Sequence, residues 1–148
     1  MGLSPQADLK YNDCMVSILV RYEGSKKCHL THQEGMTLTT DAPKDLGGDA
    51  SAFSPTDLIA AGLASCILTT IGMWGERHQL DLSGMSATVD KEMSTPPRRI
   101  GRLPVTIIVP AASVPEALRA RLEVIGHSCP VHASLHPELD AQIFYQYV

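Results

Sequence analysis

At 148 residues and 16.0 kDa the chain is the size of one ordinary domain, long enough to bury a core without disulfide or metal staples. Its 44% hydrophobic and 19% charged residues exclude a disordered polyelectrolyte and a coiled coil. A formal net charge of -4, a pI near 5.8 and the lack of any Lys/Arg block give no electrostatic footprint for nucleic acid or an anionic membrane.

The N-terminus, MGLSPQADLK, has neither the charged nor the apolar region of a secretory signal, and Gln6 stands where a myristoylation motif carries Ser or Thr. The cytoplasm is the expected compartment. Residues 1–14 are polar and unpatterned and read as a loosely ordered extension of a single domain over 1–148. Four cysteines, Cys14, Cys28, Cys66 and Cys129, show no CxxC spacing and no short disulfide framework. As free thiols they are either small buried hydrophobes or carriers of redox and nucleophilic chemistry.

Val16, Ile18, Val20 and Tyr22 alternate with Ser17, Leu19 and Arg21, the pattern of a half-buried strand, and Glu23-Gly24-Ser25 reads as its turn. Further runs at Lys27 to His32 and Met36 to Thr40 complete a three-stranded antiparallel meander. An Asp/Pro/Gly-rich stretch follows, Asp41 to Ser51.

Ser54-Pro55-Thr56-Asp57 then announces a helix, with Ser54 as cap, Pro55 at the first helical position and Asp57 able to return a bond. The helix should run to about Gly75. Its apolar positions, including Ile59, Leu63, Cys66, Ile67, Thr70 and Trp74, go nearly all round, which places it at the centre of the fold. The uncharged run from Leu58 to Gly75 is marginal as a membrane span because Gly62, Ser65, Cys66, Thr69, Thr70 and Gly72 interrupt it, and it is read as a core helix.

Two strands, about Leu82 to Met93 and Arg99 to Val109, are joined through Thr95-Pro96-Pro97. Leu103, Val105, Ile107 and Val109 share one face, and Pro104, which cannot donate to a ladder, predicts an edge or a bulge. Ser113-Val114-Pro115-Glu116 resembles a capping box ahead of the stripe Leu118, Leu122 and Ile125, which stops near Gly126. Cys129 directly precedes Pro130, at the start of a short turn of helix, and Ile143 to Val148 closes the chain as a strand.

Three stretches, LTTDAPKDLGG at 38–48, SPTDLIAAGLASC at 54–66 and CPVHASL at 129–135, resemble the OsmC/Ohr family of osmotically inducible protein C and organic hydroperoxide resistance proteins. The element order agrees with that family from about Val16 to Val148. The resemblance implies an α+β fold with antiparallel sheets wrapped around a central buried helix, in an intertwined homodimer with active sites at the interface. It also implies a thiol peroxidase in which Cys66 attacks the peroxide, Cys129 resolves the resulting sulfenic acid as a disulfide, and an external dithiol such as dihydrolipoamide restores both thiols. No cofactor and no metal are called for.

Cys66 lies 12 residues beyond Ser54, roughly 18 Å along a helix, too far for the helix N-terminus to stabilise its thiolate. A cation from elsewhere is therefore required, because burial opposes ionisation. Family members use an Arg from the N-terminal strands, held by a Glu after the helix-initiating Pro. This chain departs from that pattern: Thr56 follows Pro55, and the nearest acid is Asp57. Among Arg21, Lys26 and Lys27 the first choice is Lys27 and the second Arg21, and a Lys lacks the two-pronged bonding of a guanidinium. Thr56, Asp57 and Ile67 are the expected substrate contacts.

Other readings stand beside these. Cys66 and Cys129 could be packing residues, and Cys14 and Cys28 read as bystanders. His127, His132 and His136 surround Cys129 but match no ordinary ligand spacing, and His127 or His132 reads better as a helix-end cap or a solvated group. The rival function is a non-catalytic relative that binds an apolar small molecule or senses redox state, for which Thr56 in place of Glu is the argument.

Overall fold

A two-residue β-hairpin opens the described chain, residues 15–148 of this computed structural model; residues 1–14, with Cys14, lie outside it. Strand β1 (Ile18–Gly24) turns through Ser25 and Lys26 into β2 (Lys27–His32). Both turn residues have positive φ, 50° and 64°, the backbone of a type I′ turn whose twist suits a hairpin. Strand β3 (Thr37–Asp41) adds to β2, so the antiparallel meander β1-β2-β3 forms as the alternation predicts. The register sets Lys27 opposite Asp41 and Arg21 opposite His29.

The chain divides into two compact units, one ending at Ser54 and the other running from Pro55 to Val148. In the first, the loop after β3 is pinned back onto that strand. Ser51 donates both its backbone N–H (2.9 Å) and its hydroxyl (2.7 Å) to Asp41 Oδ2, and a Cβ at Gly48 would run into the Ala42 carbonyl. One expectation fails here: β1 is not half-buried, since Ile18, Val20 and Tyr22 on one face and Leu19 on the other are all exposed.

The second unit is built on helix α1 (Pro55–Arg77), which begins at the predicted proline. Ala60, Leu63, Ala64, Ile67, Ile71 and Trp74 lie at helical spacing and are buried, with Leu103, Val105, Ile107, Val109 and Leu122 packed around them. By length and hydropathy α1 could cross a membrane, yet this face is core. The burial is not complete all round, because Ile59 and Met73, away from the centre of this face, are about half exposed.

The two long strands expected next are each broken. Strand β4 (Ser86–Val89) stops at Asp90, β5 (Glu92–Ser94) starts after Lys91, and β6 (Arg99–Arg102) is separated from β7 (Val105–Val109) by Leu103 and Pro104. The break has the predicted cause: Pro104 has no N–H to give, and its carbonyl instead accepts from Asp90 N–H at 3.1 Å. As a result β5 and β6 form a separate ribbon, while β4-β7-β8 form a sheet completed by β8 (Ile143–Tyr147). The β7–β8 pairing is parallel, so the sheets are not antiparallel throughout.

Helix α2 (Glu116–His127) presents Leu122 to the core. The expected capping box is absent. Ser113 closes a 3-10 turn (Ala111–Ser113), and Pro115 occupies the cap position with no side-chain bond to the helix. A short helix, α3 (Pro130–Ser134), follows, with Cys129 at its N-cap and Pro130 at the first helical position as predicted.

Candidate active site

Cys129 is positioned by the junction of two helices. Helix α2 ends at Ser128, whose hydroxyl returns to the Ile125 carbonyl (2.7 Å), and extended backbone at Cys129 then swings the chain into α3. The Cys129 sulfur accepts the His132 backbone N–H at 3.4 Å, a thiol in the place of the usual Ser or Asp cap. Cys129 is wholly buried, and Cys66, in the fourth turn of α1, is partly buried. The Cys66 side chain comes near enough to Cys129 to shift its thiol. The pair that the sequence nominates thus meets inside the second unit.

Burial, and after it the neighbouring Cys66 side chain, push the Cys129 thiol above its ordinary pKa. Two backbone N–H groups, of His132 and Val131, oppose the shift without reversing it. Cys129 is therefore held toward its neutral thiol form.

An open groove of about 400 Å³ lies between α1 and α3. Leu58, Ile59 and Gly62 line one wall, and Pro130, Val131, Ser134 and Leu135 the other. Gly62 is one helical turn before Cys66 on the same face, and Pro130 adjoins Cys129, so the groove lies next in sequence to both cysteines. Its volume is in the range of small-molecule sites, and its lining suits a hydrocarbon group. Sequence reasoning missed these lining residues. The available signal was the row Leu58, Gly62, Cys66 at spacing four, together with the two residues after Cys129.

The remaining nominated residues divide by unit. Lys27 lies at the start of β2, where its ammonium bonds Asp49 (2.5 Å) and faces Asp41 (3.5 Å). The Asp49 bond raises its pKa and holds it cationic. Arg21 is exposed on β1. At the start of α1, Thr56 and Asp57 both bond Lys91, through Thr56 Oγ1 (2.8 Å) and Asp57 Oδ1 (2.7 Å), so the acid–base pair at this end of the helix draws its cation from the β4–β5 connection. Ile67 has no exposed surface. It packs in the core one residue beyond Cys66 rather than on the groove lining.

His127 Nδ1 bonds the Glu123 carbonyl (2.8 Å) at the end of α2, the helix-end role expected of it, and His132 Nε2 bonds the Ala141 carbonyl (3.3 Å). Among the described residues no three His, Cys, Asp or Glu side chains are grouped to hold a metal ion.

The family profile described as OsmC-like protein matches residues 48–143, which span both the Cys66 and the Cys129 segments. The chain belongs to the OsmC-like family. Among solved structures this OsmC-like chain is similar to a candidate osmotic stress induced and detoxification response protein from Psychrobacter arcticus, at 33% identity and a TM-score of 0.84, over 92% of this chain and 99% of the other. Its fold is also that of an organic hydroperoxide resistance protein OsmC from Legionella pneumophila, at 21% identity, TM-score 0.70 and coverage of 90% and 97%. A third OsmC-like match is a candidate organic hydroperoxide resistance protein from Vibrio cholerae with captopril bound in one of its active sites. There the identity is 16%, the TM-score 0.74 and the coverage 93% and 94%. No sequence among the curated proteins matches the chain.

Proposed function

We propose that this OsmC-like protein is a cysteine-based thiol peroxidase that reduces organic hydroperoxides, and hydrogen peroxide more slowly, in the cytoplasm. The observation that carries the proposal is the proximity of Cys66 to the buried, raised-pKa Cys129, with an apolar groove lined by residues adjoining both. The Cys66 thiolate attacks one peroxide oxygen. A sulfur–oxygen bond forms, the O–O bond breaks, and the departing alkoxide takes a proton to leave as alcohol. Cys129 then gives up its proton and attacks the sulfenic sulfur, and water leaves as the disulfide forms. An external dithiol of the dihydrolipoamide kind returns two electrons and two protons.

Lys27, with Arg21 second, is the cation proposed for the Cys66 thiolate on sequence grounds. Homodimerisation is proposed as well. Both faces of β1 expose apolar side chains, Ile18, Leu19, Val20 and Tyr22, and a second copy is the natural cover for such a strand.

The non-catalytic reading draws its support from Thr56, which bonds Lys91 where the family pattern has Glu. The two readings separate when reduced protein meets a slight excess of cumene hydroperoxide and its disulfides are mapped by peptide mass. The peroxidase yields a Cys66–Cys129 bridge that disappears in Cys66→Ser. Survival of both thiols at full occupancy would end the peroxidase reading.

A further inference from the structure

Nothing packed against Gly62 within this chain requires it to be a glycine. It stands inside α1 without a positive φ, and a Cβ built on it meets nothing within 4 Å. Glycine weakens a helix interior relative to alanine, so an open helical glycine is a stability deficit in need of an explanation. Two other helical glycines have one: a Cβ at Gly75 would strike Leu82, and a Cβ at Gly126 would strike Tyr145.

The empty space beside Gly62 is the groove wall that faces Val131 and Leu135. Side chains on a helix lean toward its N-terminus, so the Cys66 sulfur leans over the turn that carries Gly62. Any side chain at position 62 would project into the approach to that sulfur.

Resting on the peroxidase reading, we infer that Gly62 is a specificity determinant. Its bare Cα leaves room for the bulky apolar group of an organic hydroperoxide, with the hydrocarbon against Ile59, Val131 and Leu135 and the O–O group directed at Cys66. A larger residue there narrows the groove, and hydrogen peroxide, having no hydrocarbon to place, is penalised less.

The test compares kcat/KM for cumene hydroperoxide and for hydrogen peroxide, with dihydrolipoamide as reductant, in the wild type, Gly62→Ala, Gly62→Leu and the control Gly72→Ala. Gly72 is also an open helical glycine, but it lines a separate cavity with Glu76 and Asp81. The cumene-to-hydrogen-peroxide ratio should fall about threefold in Gly62→Ala and about tenfold or more in Gly62→Leu, and hold in Gly72→Ala. The thermal midpoint of Gly62→Ala should equal or exceed that of the wild type, which keeps the comparison valid if the leucine variant folds poorly.

An unchanged ratio in the Gly62 variants, or an equal loss with both peroxides, overturns the inference. Wild-type protein that reduces neither peroxide would sink the peroxidase reading instead, and binding of cumyl alcohol would then decide the role of Gly62. Affinity weakened about tenfold in Gly62→Leu supports it, whereas equal affinity, or no binding by the wild type, overturns it.

Discussion

The buried Cys129 thiol neighbours the partly exposed Cys66, which helps to raise its pKa, and the pair is unequal in exposure. Burial and the neighbouring sulfur both hold the proton on Cys129, and only Cys66 retains a surface that a substrate can approach. In the proposed peroxidase the exposed sulfur would meet the oxidant and the buried one its product.

Cys129→Ser should therefore separate the two half-reactions. Serine is a good N-cap and keeps the bond from His132 N–H, so the fold should persist. One equivalent of cumene hydroperoxide should still be consumed, leaving a sulfenic acid on Cys66 that dimedone traps. Steady-state turnover with a dithiol should drop by on the order of 10²-fold or more. An intact steady-state rate would show that Cys129 resolves nothing.

Ile67 and its neighbour Cys66 should respond in opposite ways. Ile67→Val removes a methylene from a fully buried site and should cost about 0.5–1.5 kcal/mol in urea unfolding. KM for organic hydroperoxides should stay at the wild-type value, because Ile67 presents no surface to a ligand. A changed KM with unchanged stability would return it to the groove.

Gly126 and Tyr145 form a testable pair. The Tyr145 hydroxyl donates to the Glu123 carbonyl (3.2 Å) and occupies the space that a Cβ at Gly126 would need. Gly126→Ala should destabilise by about 1–3 kcal/mol. Adding Tyr145→Phe removes the obstructing oxygen, so the double variant should lose less than the sum of the two single losses. Simple additivity would mean that the helix end shifts instead.

The alkaline limb of stability should depend on Tyr147. Burial, then the bond to Glu123, raises its phenol to about 12. A phenol raised in the folded state favours its neutral form there. Its contribution is complete below the ordinary value of 10.0 and is lost as the pH climbs to about 12. Tyr147→Phe should flatten this part of the curve, measured as urea midpoints from pH 9 to about 12. A profile as steep as the wild type's would reassign the effect to another group, with Tyr145, also raised, the first candidate.

At the acid end the same reasoning applies to Asp41 with the sign reversed. The Ser51 backbone N–H and hydroxyl are the leading causes that lower its carboxyl to about 2 from 3.8. The stability it adds is present above 3.8 and lost as the pH falls toward 2. Asp41→Asn should blunt the acid transition and leave the Ala42–Phe53 loop more open to proteolysis at neutral pH. Equal cleavage rates in both proteins would show that the loop is held by other bonds.

Periodicity and turn chemistry alone determined the meander, the proline-led central helix, the buried face of Leu103 to Val109 and the place of Cys129 ahead of a helical turn, because each depends on neighbours a few residues away. The family resemblance in three short stretches added the candidate sulfurs. Packing between distant segments decided the rest. It brought Cys66 to Cys129, buried Ile67 while leaving its neighbour Cys66 reachable, split two long strands around Pro104, and opened a groove beside Gly62. Local pattern tells which way a side chain leans from its own element, but what it meets there depends on how helices and sheets settle against one another, and that is a property of the assembled core.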